Sequence, residues 1–290
     1  MIKFENGKFC GYVNGKCIVR STSEYYVKRK LGEQSTALPY KAPDSEFGIN
    51  ERFGFLEQMV TMVADKTMVS CVITGEGGLG KSYTVLKSLE KAGLTNVTSL
   101  ADFEIGQKLN LSKCYRIIKG FSTAKGLYRT LFECNGMTIV FDDCDSILKD
   151  DVARNLLKGA LDSFNKRYIS WMADMRDDDL PKAFEFTGRI VFVSNMPLER
   201  IDQAIRTRCM VVDLSMTELQ KVQRMEVIAK SDEFLPEIDT ATKEKALGFL
   251  KSQINTIPNL SLRSLIQVSK IFSRGGDQEA LAKYILTQGA

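Results

Sequence analysis

The stretch that decides the fold runs Met68-Val69-Ser70-Cys71-Val72-Ile73-Thr74-Gly75-Glu76-Gly77-Gly78-Leu79-Gly80-Lys81-Ser82. Its first half is a short apolar run of strand length, and its second half matches G-x-x-x-x-G-K-[ST] at every fixed position. A helix is expected to open near Lys81, so the glycine turn sits between a strand and a helix. Glycines let successive backbone N–H groups turn inward around phosphate oxygens, and the helix N-terminus adds partial positive charge. In such a cradle Lys81 reaches the β- and γ-phosphates and the Ser82 hydroxyl ligates Mg²⁺. Gly75 through Ser82, with Tyr83 after them, are the candidate nucleotide-binding residues.

A second apolar strand, Met137-Thr138-Ile139-Val140-Phe141, ends in Asp142-Asp143. The carboxyl end of a buried parallel strand is where a metal-ordering carboxylate belongs. Asp142 is assigned to the Mg²⁺ shell through water, and Asp143 to orienting or activating the attacking water. Further strands are predicted at 115–119, 189–194 and 210–214, with helical stretches between them. Alternation of this kind implies an α/β fold, a parallel sheet covered by helices on both faces. One such helix carries Phe53, Leu56, Met59, Val60 and Val63 on a single face. Another is expected to run through Leu156, Leu157, Ala160, Leu161 and Phe164. After Ser215 the strands cease; Ser215-Met216-Thr217-Glu218 reads as a capping box, and four helical segments follow.

Taken together, these motifs resemble the AAA+ ATPases over about residues 46–280. Gly188-Arg189-Ile190-Val191-Phe192-Val193-Ser194-Asn195 looks like the strand that ends in the sensor 1 residue, here Asn195. Ile201-Asp202-Gln203-Ala204-Ile205-Arg206-Thr207-Arg208-Cys209 is similar to the Ser-Arg-Cys segment of clamp-loader relatives. By that resemblance Arg208, with Arg206 second, acts on a neighbouring subunit's nucleotide. Leu260-Ser261-Leu262-Arg263 opens a late helix as the sensor 2 segment does, with Arg263 over the γ-phosphate. The resemblance also implies base recognition by Phe47, Gly48 and Ile49, an AAA+ core with a C-terminal helical lid, and assembly into a ring or partial ring. Two features depart from the family. Asp143 stands where a glutamate is usual, one methylene longer. A β-hairpin is inserted before Asn195, built from 168–172 and 183–187. Its tip, Asp174-Met175-Arg176-Asp177-Asp178-Asp179, is acidic, which favours a structural or protein-contacting role over contact with phosphate.

The rest of the composition narrows the chemistry. The chain has 290 residues and no histidine, which excludes Ser-His-Asp and Cys-His hydrolysis and His-ligated zinc. Its seven cysteines are scattered, with no C-x-x-C pair, as expected of reduced thiols in a cytoplasmic protein. No signal core or membrane-length apolar run is present in the sequence. Net charge is +4, and residues 1–40, with seven basic and three acidic side chains, hold the whole excess. In that segment Asn6-Gly7 and Asn14-Gly15 each separate strand formers, predicting a three-stranded meander. A short helix through Tyr25, Tyr26 and Leu31 and a linker over 33–48 should follow. The expected organisation is a basic β-rich appendage at 1–40, a nucleotide-binding α/β core at 41–215 and a helical lid at 216–290.

The expected activity is Mg²⁺-dependent ATP hydrolysis by a homo-oligomer, coupled to remodelling of a macromolecule. The basic appendage and the clamp-loader-like segment point to DNA or another nucleic acid, in replication or loading. A polypeptide partner remodelled by the same machinery, or a slow nucleotide-dependent switch, stays open beside it. The small single module suits a prokaryotic or phage protein.

Overall fold

The computed structural model describes residues 2–5, 8–13, 16–21, 45–98, 110–120, 123–172, 180–254, 256–257, 259–274 and 278–288. The chain divides into two compact units, Met1–Lys41 and Ala42–Ala290. The first contains β1 (Ile2–Glu5), β2 (Lys8–Val13) and β3 (Lys16–Ser21) in an antiparallel sheet of order β1-β2-β3. Glu5 pairs with Lys8 and Val13 with Lys16, and the Asn-Gly pairs lie between these positions, outside the described residues. The Phe4 and Phe9 rings stand 4.8 Å apart. The expected helix through Leu31 and most of the linker also fall outside the described residues.

The second unit is α/β. Its strands are β4 (Ser70–Thr74), β5 (Thr95–Asn96), β6 (Cys114–Lys119), β7 (Thr138–Asp142), β10 (Arg189–Val193) and β11 (Met210–Asp213). They form one parallel sheet of order β11-β4-β10-β7-β6-β5. β5, an edge strand of two residues, is too short to leave a pattern in sequence. A separate antiparallel pair, β8 (Tyr168–Ser170) with β9 (Ala183–Glu185), is the expected hairpin; its acidic tip lies outside the described residues.

Alternation along the strands explains why helices cover both faces. Cys71, Ile73, Val140, Val191 and Val193 pack under α1 (Ile49–Ala64) and α2 (Lys81–Lys91). Val72, Ile139, Phe141, Ile190 and Phe192 face α3 (Ala124–Glu133), α4 (Asp145–Lys149) and α5 (Asp151–Ala160) instead. Phe141 and Phe192 stack at 5.2 Å across that second face. The central strands β4, β7 and β10 are thus buried on both sides, as a parallel sheet requires. α5 stops at Ala160, short of the expected extent, and Phe164 lies 73% exposed beyond it. Asp162 and Ser163 favour a turn over another helical turn there.

Beyond β11 come α7 (Glu218–Ala229), α8 (Thr240–Ser252), α9 (Leu262–Phe272) and α10 (Gln278–Gln288), with a core of their own around Met225, Leu250, Leu265 and Val268. The short α6 (Gln203–Arg206) precedes β11. α7 begins later than expected, because Thr217 rather than Ser215 is its cap. The Thr217 hydroxyl accepts from the Gln220 N–H at 3.2 Å, and the side-chain Oε1 of Gln220 accepts from the Thr217 N–H at 3.0 Å. Ser215 spends its hydroxyl on Asp213 at 2.6 Å instead. The helical segment does not part from the α/β layer as a unit of its own, since α7 packs on α1. No helix among the described residues is long and apolar enough to cross a membrane.

Candidate functional site

β4 is buried along its whole length and delivers the chain to the glycine turn at the carboxyl edge of the sheet. Gly75, Gly78 and Gly80 adopt φ of 128°, 77° and 90°, and Gly80 caps α2. A side chain at Gly75 would put Cβ 2.8 Å from the Leu214 carbonyl carbon, so close approach as well as φ demands glycine. Leu79 is buried and anchors the loop to the core formed by α1 and the sheet.

Lys81 is 4% exposed. Its ammonium donates to the carbonyls of Gly75 and Glu76, both at 2.6 Å, and to Asn195 Oδ1 at 2.9 Å. Burial pulls its pKa down to about 8, against the opposing pull of the Asp143, Asp142, Asp145 and Glu76 carboxylates. Asn195 follows β10, and β10 lies between β4 and β7. That insertion is what lets one carboxamide reach both neighbours. While Oδ1 accepts from Lys81, Nδ2 donates to Asp143 Oδ1 at 2.5 Å. Asp143 holds φ of 57°, a conformation Asp and Asn tolerate better than most side chains, and its N–H donates to the Val193 carbonyl at 3.1 Å. The turn leaves the Asp143 carboxylate exposed at the edge while Asp142 stays buried.

Ser82 Oγ donates to Asp142 Oδ1 at 2.7 Å. A hydroxyl and a carboxylate are hard oxygen donors of the kind Mg²⁺ takes. No cluster of three or more His, Cys, Asp or Glu side chains that could hold a metal exists among the described residues. A Mg²⁺ ion held by this pair would need further oxygen ligands to complete its shell.

The C-terminal helices meet the loop directly. The Leu262 N–H donates to the Gly78 carbonyl at 2.9 Å, so α9 begins against the glycines. Arg263, in its first turn, is exposed, and a Cβ on Gly78 would lie 3.7 Å from Arg263 Cδ. Its guanidinium has no hydrogen-bond or ion-pair partner among the described residues. A cavity of about 530 Å³ runs from Gly78 and Gly80 along α2 beneath the C-terminal helices, walled by Tyr83, Ile228, Phe234, Leu262 and Arg263 among others. Phe47, Gly48 and Ile49 do not line it. Phe47 packs edge-on against Phe55 at 5.0 Å, Gly48 precedes α1, and Ile49 is buried in the core with Leu79.

Arg208 and Arg206 lie elsewhere. They precede β11, whereas the glycine loop follows β4, its parallel neighbour. The length of a four-residue strand, roughly 13 Å at ~3.3 Å per residue, separates them from the carboxyl edge. The Arg208 guanidinium is exposed and donates to the Ala204 carbonyl at 2.9 Å. Arg206 is half-buried, with a buried Nε that has no hydrogen-bond partner.

No family model matches this sequence. The chain is similar to an uncharacterized 36.7 kDa protein in the nrdC-mobD intergenic region of Enterobacteria phage T4. The two are 28% identical over 245 residues, which cover 78% of this chain and 70% of that protein.

Several site residues escape a reading of local motifs. Arg52 stands on the buried stripe of α1, and its guanidinium donates to the Asp213 carbonyl at 2.8 Å and the Ser215 carbonyl at 3.0 Å. Its signal in sequence was a lone charge among the apolar positions of that helix. Lys221 of α7 reaches Glu76 in the loop at 2.7 Å and Glu218 at 2.7 Å. Burial alone would lower its pKa, but the two carboxylates raise it. Lys119, the last residue of β6, sits 3.0 Å from Asp142 Oδ2. Ser194 Oγ donates to Asp145 Oδ1 at 2.6 Å.

Proposed function

We propose that this chain is a Mg²⁺-dependent ATPase of the AAA+ type that oligomerises and uses ATP to remodel a nucleic acid or a nucleoprotein complex. One observation carries the reading. The glycine loop, Lys81, Asn195 and Asp143 form a continuous chain of contacts at the carboxyl edge of a parallel sheet, with the Ser82–Asp142 pair beside it. Phosphoryl transfer needs a cation at the β- and γ-phosphates, oxygens for the metal and a carboxylate toward the attacking water. All of these are assembled at one edge.

In this reading the N–H groups of the glycine loop cradle the phosphates, and Lys81 leaves its carbonyl partners for phosphate oxygens. A Mg²⁺ ion at this edge would supply positive charge to offset the charge developing on the phosphates. Ser82 and Asp142 would hold it. Asp143 orients and deprotonates the attacking water, and Asn195 keeps that carboxylate aimed. Arg263 approaches from the lid. Tyr83, Ile228, Phe234 and Leu262 offer the non-phosphate end of the nucleotide an apolar cleft, in place of Phe47, Gly48 and Ile49. Arg208 is exposed and a strand's length from its own glycine loop, which suits action on a neighbouring subunit. Ring-type contacts are heterologous, so an arginine on one edge can serve a loop on another.

The macromolecule acted on is inferred from charge. The three-stranded unit lies within residues 1–40, which hold the whole excess of positive charge, and phosphate backbones are its natural counterpart. Seven scattered cysteines with no C-x-x-C pair fit a reducing cytoplasm, and the T4 relative fits a phage setting. The test is the ATPase rate alone and with single-stranded DNA, double-stranded DNA or RNA. Stimulation by one of them that disappears at high salt and on deleting residues 1–40 is the expected result. Turnover indifferent to all three would move the task to a protein partner. Absence of ATP binding would end the ATPase reading.

A further inference from the structure

Lys119 and Asp142 are register partners on the adjacent parallel strands β6 and β7. Residues paired in this way point to the same face, with their strands roughly 4.8 Å apart. The result is an ion pair of 3.0 Å between Lys119 Nζ and Asp142 Oδ2. Ser82 already donates to the other oxygen, Oδ1, at 2.7 Å. Both oxygens of the carboxylate assigned to the metal are therefore engaged, one by a hydroxyl and the other by a full positive charge. The two side chains differ in freedom: that of Asp142 is 5% exposed and that of Lys119 is 64% exposed. The carboxylate is fixed in the protein, whereas the ammonium can swing into water with little loss of hydration.

We propose that Lys119 is a resident cation at the metal site, which neutralises Asp142 while the site is empty and sets how tightly a divalent metal binds there. The inference rests on the nucleotide reading above. A buried carboxylate without a counter-charge is costly, so an empty site benefits from the pair. A divalent ion approaching Asp142 must displace the ammonium or bear its repulsion. Metal alone should therefore bind poorly, and metal accompanied by triphosphate oxygens should bind well. Lys119 is a positioning residue in this scheme: it acts through Asp142 and is assigned no contact with the phosphates or the attacking water.

The experiment is a Mn²⁺ titration of the full chain followed by electron paramagnetic resonance, with and without a non-hydrolysable ATP analogue. Lys119→Met and Lys119→Arg are compared with wild type, and thermal melting of each variant checks its fold. With analogue present, Lys119→Met should bind Mn²⁺ about five- to tenfold more tightly, the scale expected for removing one nearby like charge. The gain should shrink as salt is raised. Lys119→Arg keeps the charge and should stay near wild type. Unchanged or weaker Mn²⁺ binding by Lys119→Met overturns the inference, as does Lys119→Arg binding as tightly as Lys119→Met. Analogue binding by wild type with Mn²⁺ affinity blind to residue 119 overturns this inference alone. A wild-type chain that binds neither analogue nor Mn²⁺ overturns the ATPase reading and this inference with it.

Discussion

The Lys81 ammonium lies 2.9 Å from Asn195 Oδ1, although the two residues belong to different strand-to-helix turns. The same carboxamide holds Asp143, so the cation assigned to phosphate and the carboxylate assigned to water share one hydrogen-bonded intermediary. Nucleotide that draws Lys81 away would free the Asn195 oxygen while its amide still holds Asp143.

Lys81 gives a pH test. Its pKa of about 8 in the folded protein lies below the ordinary 10.5, so between those values the unfolded chain binds more protons than the native one. Stability of the empty protein should therefore rise with pH across that window. Nucleotide binding should move the opposite way, because phosphate selects the charged ammonium. Metal-free ATP affinity should be level up to about pH 8 and then weaken by up to about tenfold per unit. Lys81→Met should bind poorly and show neither effect. Urea unfolding and fluorescent-nucleotide titration at several pH values check both arms.

Asp143→Asn separates binding from turnover. Asparagine tolerates the positive φ that this position requires, and Asp142 is left in place for the metal. Mg·ATP affinity should stay within a few-fold, while hydrolysis should fall by about 10²–10⁴-fold, the range of a lost general base. Normal turnover in this variant would assign the water to another group.

Arg208→Ala addresses assembly. ATP affinity should be nearly unchanged, with turnover reduced by roughly 10³-fold, the scale of an arginine finger. Mixing with Lys81→Ala protein should restore some activity, since an intact loop then meets an intact arginine. Specific activity that is flat with protein concentration, in a fully active Arg208→Ala variant, would mean that the chain works as a monomer. Arg206→Ala in parallel decides between the two side chains.

Gly75→Ala concerns the fold beneath the site. The added methyl would press on the Leu214 carbonyl at 2.8 Å with φ at 128°. A loss of about 2–4 kcal/mol is expected from strain and overpacking together. Gly93→Ala serves as control, because φ there is 80° but nothing lies within 4 Å of the new Cβ. It should cost about 1 kcal/mol, the conformational term alone. Chemical denaturation of both variants measures the difference.

Much of this architecture is legible in the chain because it is local. The run from Ser70 to Ser82 is contiguous, so strand, glycine turn and helix follow from composition and spacing. The ends of β7 and β10 are legible for the same reason: each is an apolar strand that stops at a polar pair. Boundaries were less secure where several caps compete, as at Ser215 and Thr217. There Asp213 decides the matter by taking the Ser215 hydroxyl. The end of α5 is harder to place from sequence because Phe164 continues its apolar spacing beyond the turn at Asp162.

By itself, then, the sequence determined where the main strands, turns and helices lie and which residues are candidates for phosphate contact, since these follow from near neighbours along the chain. Tertiary structure alone decided who faces whom. Inserting β10 between β4 and β7 put Asn195 between Lys81 and Asp143, and pairing β6 with β7 put Lys119 on Asp142. Folding α7 and α9 back onto the loop made the cavity and brought Lys221 to Glu76 and Arg263 to Gly78. These contacts join segments far apart in the chain. Strand order and lid docking create them through burial of apolar faces, which constrains the pattern of a sequence without naming the partner of any one charged side chain.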